Sequence, residues 1–71
     1  MRTAIQKGGR LIRRPDVTRA TGLGRSTIYR LVRLGRFPAP IKVSERASAW
    51  VEHDVQAWIR ERIATAQGGA P

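Results

Sequence analysis

Two glycines, Gly22 and Gly24, interrupt what would otherwise be one helical stretch from Pro15 to Leu34. Glycine enters the left-handed region at no steric cost and so ends helices where other residues would continue them. The stretch must therefore fold as two short helices joined by a tight turn. Pro15 at a first helical position, with Asp16 in the first turn, predicts a helix over 15–21 whose Val17 and Ala20 face inward. Gly24 then serves as N-cap. Arg25 to Leu34 contains no breaker, Gly35 stops it, and Arg33 suits its C-terminal end. Two short helices in this arrangement form a helix-turn-helix pattern.

Downstream, Phe37-Pro38-Ala39-Pro40 excludes a helix, because each proline also pushes the preceding residue to extended geometry. Ile41-Lys42-Val43 alternates as a short strand does, Ser44 to Ala47 can turn, and Ser48 to Val51 can return as the second strand of a hairpin. No Asn-Gly or Asp-Gly marks that turn. From Glu52 to about Ala64 the apolar residues Val55, Trp58, Ile59 and Ile63 recur at helical spacing, with Gln56, Arg60 and Arg62 on the other side. The expected fold is mainly α with a small β-hairpin, in the order helix, turn, helix, hairpin, helix: a winged helix-turn-helix. Residues 1–10 are expected to form a flexible basic arm, 11–64 the domain, and 65–71 a disordered tail.

Composition narrows the function. The chain has 71 residues, 14 Lys and Arg against 5 acidic residues, and a formal net charge of +9. A domain of this size with that charge is drawn to polyanions. It has no cysteine and one histidine, which leaves no disulfide frame, no thiolate chemistry and little material for acid–base catalysis. The expectation is a non-enzyme without cofactor or metal. No secretion signal or membrane span is visible, so a cytoplasmic, nucleoid-associated location is expected.

The second helix separates its residues by face. Ile28, Leu31 and Val32 cluster on one side. Ser26, Tyr29, Arg30 and Arg33 fall within about 100° of one another on the other. Arginine can bond the guanine edge bidentately, serine and threonine can bond bases or phosphate, and tyrosine can reach phosphate or stack. The first turns of a recognition helix enter the major groove. Arg25, Ser26, Thr27, Tyr29 and Arg30 are thus the candidates for base edges, and Arg33 for the backbone. The plainer alternative is a solvated helix face, but such faces usually mix charge signs, and none of the acidic residues falls on this helix.

Other features carry paired readings. Lys42, Ser44 and Arg46 on the hairpin could grip phosphate or enter a minor groove, or could form a plain solvated turn. Trp50 and Trp58 could stack on unpaired bases, but they fit the apolar pattern and are expected in the core. His53 lacks companion ligands for a metal and is expected on the surface. Arg2, Lys7 and Arg10 belong either to a solubilising tail or to an arm that tracks DNA.

Taken together, Thr21-Gly22-Leu23, the run Arg25-Ser26-Thr27-Ile28-Tyr29-Arg30, Gly35 with Phe37-Pro38 and Pro40, Lys42, Arg46-Ala47, Trp50 and the Val55, Trp58-Ile59 ending resemble the AlpA family of small prophage and mobile-element regulators. The resemblance spans Leu11 to Ile63. It implies a winged-helix domain akin to the MerR and excisionase type, with 25–34 as recognition helix and 41–51 as wing. It further implies sequence-specific binding of double-stranded DNA, to control transcription or to act in excision. The chain departs from the family pattern at Gly24, where serine is common, and at Ser48-Ala49, where a Val-Gly type pair is common.

Two functions share this domain. One is a transcriptional regulator of a phage-like or mobile element, working with RNA polymerase. The other is an excisionase that bends attachment-site DNA and partners an integrase. Self-association on DNA is compatible with both. A cationic protein acting on membranes or RNA is a third reading, disfavoured because the apolar stripe of the last helix is narrow and no RNA module is visible.

Overall fold

The computed structural model describes residues 9–68. Arg2 and Lys7 of the basic arm, and residues 69–71 of the tail, lie outside the described residues. Along the chain come β1 (Leu11–Ile12), α1 (Arg14–Thr21), α2 (Arg25–Arg33), β2 (Ile41–Ser44), β3 (Ala47–Val51) and α3 (Glu52–Gly68).

α1 carries proline in its first turn and ends at Gly22, whose φ of 80° is left-handed and whose N–H bonds the Thr18 carbonyl. Thr21 closes the turn from both sides. Its hydroxyl donates to the Val17 carbonyl at 2.8 Å and accepts the Leu23 N–H at 3.1 Å. Ala20, expected to face inward, is exposed. Val17 is the buried residue of this helix.

α2 ends in a Schellman motif. Gly35 (φ 74°) donates to the Val32 carbonyl, and Arg36 donates to the Leu31 carbonyl at 2.8 Å. This bond pair reverses the chain and delivers Phe37 into the core.

The sheet has three strands in the order β1-β3-β2, all antiparallel, one more strand than the sequence predicts. Two residues of β1 pair with the end of β3, Leu11 opposite Val51 and Ile12 opposite Trp50. In the β2–β3 hairpin, Ile41 opposes Ala49 and Lys42 opposes Ser48, and the register then shifts so that Ser44 opposes Ala47. No non-glycine residue among those described has positive φ, so the Glu45-Arg46 turn is not of the primed type that matches strand twist. The irregularity at Val43 supplies the adjustment instead.

The core is one cluster: Ile12, Val17, Ile28, Phe37, Trp50 and Val55, with Leu23, Leu31, Val32, Trp58 and Ile59 packed against it. Each indole N–H has a partner. Trp50 Nε1 donates to the Pro38 carbonyl and Trp58 Nε1 to the Arg36 carbonyl, both at 2.8 Å. The two tryptophans differ in depth: Trp50 is fully buried, whereas Trp58 is half-buried, with Phe37 edge-on at 4.8 Å and the Arg62 guanidinium over its ring.

α3 follows β3 without a loop, and Arg10 staples its start. The Arg10 carbonyl accepts the Glu52 N–H at 2.7 Å, and its guanidinium lies 3.7 Å from the Glu52 carboxylate. The helix runs to Gly68, past the expected end at Ala64. Ile63, expected on the apolar stripe, is 51% exposed, and Gln56, expected outside, is half-buried. The core ends at Ile59, and the last turns of α3 continue beyond it.

Candidate nucleic-acid interface

α2 is fixed from beneath. Ile28 is fully buried and Leu31 and Val32 are partly so, which turns Ser26, Tyr29, Arg30 and Arg33 to solvent. Gly24 precedes the helix in extended conformation and offers no side-chain cap, and no acidic residue stands in the first turn. Arg25 at the first position runs against the helix dipole. Local stability alone would choose other residues at both positions.

Arg25, Ser26, Thr27, Tyr29, Arg30 and Arg33 line one concave surface. They are the same six α2 residues that the helical spacing and the first-turn position mark as candidates. Thr27 is half-buried at its edge. The Arg25 guanidinium lies 5.9 Å from the Tyr29 ring centroid, and the Tyr29 ring packs on Trp50 with centroids 6.0 Å apart.

The three hairpin residues divide. Arg46, at the turn, joins Arg25 and Tyr29 in lining a second concavity. Lys42 and Ser44 lie exposed on the outer strand β2 and line neither surface. The second concavity also brings in residues that sequence reasoning missed: Arg13, Arg14 and Pro15 from the start of α1, and Ser48 from β3. The signal for the arginines was present. Two cations beside a helix N-terminus oppose the dipole and ask for a reason.

Among the described residues no group of three or more His, Cys, Asp or Glu could hold a metal ion, and His53 is exposed on α3. No helix of the described residues is long and apolar enough to cross a membrane.

A short helix, a three-residue turn, a second helix with its polar face outward, and a hairpin beside it define a winged helix-turn-helix domain of mainly α class. The chain belongs to the AlpA family: the family model described as prophage CP4-57 regulatory protein (AlpA) matches residues 10–63. It is also similar to the uncharacterized protein ORF88 of Enterobacteria phage P4, at 42% identity over 60 residues, covering 84% of this chain and 68% of that protein. The family is a regulatory one, of prophage origin, and not a family of enzymes.

Proposed function

We propose that the protein is a sequence-specific, double-stranded DNA-binding transcriptional regulator of a phage-like or mobile element. In this reading α2 enters the major groove and the β2–β3 hairpin acts as wing. One observation carries it: α2 presents Arg25, Ser26, Tyr29, Arg30 and Arg33 to solvent with no carboxylate on the helix, above a fully buried Ile28. A rigidly seated row of arginine and hydroxyl donors suits the acceptor-rich edges of guanine and the flanking phosphates. Arg25, Ser26, Thr27, Tyr29 and Arg30 address bases, while Arg33, Lys42, Ser44 and Arg46 address the backbone. The protein acts in the cytoplasm at the nucleoid, with RNA polymerase or an integrase as protein partner and neighbouring copies on the same DNA.

The test is titration against duplex DNA from immediately around its own gene, at two salt concentrations, with random duplex as competitor. The expected result is binding that survives competition by several decades, with discrete footprints. Binding that collapses with salt and shows no preference would reduce the protein to a nonspecific polycation. Cooperative occupancy of repeated sites with strong bending would assign the excisionase role in place of transcriptional control.

A further inference from the structure

The second concavity is assembled from parts far apart in the chain: Arg13, Arg14 and Pro15 before and within α1, Arg25 and Tyr29 on α2, Arg46 and Ser48 on the hairpin. Four of its lining residues are arginines and none is acidic. The ion pairs among the described residues join Arg10 to Glu52 and Arg19 to Asp16, so no carboxylate neutralises any of the four. The nearest acid in sequence to Arg14, Asp16, is already engaged by Arg19.

Converging like charges raises the energy of the free protein, and three of these arginines stand at or beside helix N-termini, where cations are disfavoured. Among the described residues the offsets are few: the Arg25–Tyr29 contact and a single Arg14 hydrogen bond. Arg13 makes no side-chain hydrogen bond among the described residues, and Arg14 uses one donor, Nη1 to the Thr18 hydroxyl at 3.1 Å. A guanidinium has five N–H donors in a planar fork matched to phosphate oxygens. Phosphate oxygens match these unused donors in charge and geometry.

We infer that this concavity seats phosphodiester groups of the DNA backbone, gripped by Arg13, Arg14 and Arg46, with the Ser48 hydroxyl as a neutral donor. The inference rests on the duplex-binding reading above and adds to it a third contact element, the start of α1. Arg25 and Tyr29 border both concavities, so the strand held in the seat flanks the groove that α2 enters. Phosphate contacts fix register and depth while base contacts specify sequence. The seat therefore sets how deeply Ser26, Thr27 and Arg30 reach.

The experiment compares Arg13→Ala, Arg14→Ala and Arg60→Ala in the full chain, on own-gene and random duplexes across a salt series, with thermal melts of each variant. Arg60 is exposed on α3 and outside both concavities, so its variant controls for net charge. Arg14→Ala also removes the bond to Thr18, so Arg13→Ala carries the decision. Arg13→Ala is expected to melt like the wild type, to weaken both duplexes about tenfold, and to lower the slope of log K against log salt by about 0.9, one phosphate's share. Footprint positions should not move. If Arg13→Ala matches Arg60→Ala in affinity and slope while Arg30→Ala relaxes sequence preference, the seat is overturned and the duplex-binding reading stands. A wild type that binds no duplex overturns both. Inorganic phosphate titrated at fixed ionic strength separates the other source of the same chemistry. If wild type binds inorganic phosphate at millimolar concentration and Arg13→Ala does not, while the two bind duplex with equal affinity and salt slope, the seat takes a free anion and not the backbone.

Discussion

The Tyr29 ring on α2 meets the Trp50 ring of β3 with centroids 6.0 Å apart and planes tilted by 54°. Trp50 is fully buried and Tyr29 is 36% exposed, so a single aromatic pair joins the candidate DNA-facing surface to the centre of the core. Such pairs contribute about 0.5–1.5 kcal/mol beyond the area they bury. Arg25 lies against the same ring, so the contacts run from an exposed arginine through Tyr29 to a residue of the central strand.

Trp50→Ala is expected to leave the chain largely unfolded, since truncating a buried tryptophan costs about 3–5 kcal/mol and a domain this small has about that much to lose. The same truncation at half-buried Trp58 should cost about half as much, roughly 2 kcal/mol. Urea denaturation of both variants checks the ranking. Equal losses would mean that Trp58 is as deeply packed as its apolar spacing in the sequence suggests.

Arg30→Ala, which removes a donor from the middle of the α2 face, should cost about 1–3 kcal/mol of binding and relax sequence preference. Arg46→Ala should weaken all duplexes alike and lessen the salt slope by about 1. Competition titrations on own-gene and random duplex distinguish the two patterns. A cognate-only loss for Arg46→Ala would mean that the wing reads bases.

Gly22 and Gly24 should respond oppositely to substitution. A Cβ at Gly22 meets nothing within 4 Å, but its φ of 80° is left-handed, so Gly22→Ala should cost about 1–2 kcal/mol from backbone strain alone. Gly24 is in extended conformation with open space around it, and Gly24→Ser should add a few tenths of a kcal/mol by supplying the missing cap. Thermal melts read both signs.

Ile63→Gln should change stability by less than about 0.5 kcal/mol, because the residue is exposed on the last turns of α3. Val55→Ala on the same helix removes fully buried methyl groups and should cost about 1–2 kcal/mol. Paired melts check this, and a large loss at Ile63 would reveal a contact for the end of the helix.

The helix-turn-helix was legible because its determinants are local. Pro15, Gly22, Gly24 and Gly35 act within a turn of where they stand, and the spacing of Ile28, Leu31 and Val32 fixes which side of α2 is buried. That spacing also carried Ser26, Tyr29, Arg30 and Arg33 of the candidate interface, and their neighbours Arg25 and Thr27 followed from standing in the first turn of the helix. β1 was not legible. Two residues have no periodicity, and Leu11-Ile12 is a strand only because β3 presents a free edge to it. The spacing of Val55, Trp58, Ile59 and Ile63 overstated the core, since a stripe is buried only as far as something lies opposite it.

The sequence by itself thus determined where the helices start and stop, which face of α2 is free, and that the free face is cationic, because each depends on residues within a turn or two. Only the tertiary structure decided that Arg13 and Arg14 meet Arg25 and Arg46 around one concavity, that Trp50 lies deeper than Trp58, and that Tyr29 rests on Trp50. The contacts among them join residues more than ten positions apart. They exist because a third strand and the reversal at Gly35 fold the chain back upon itself, and no local pattern encodes the distance between elements.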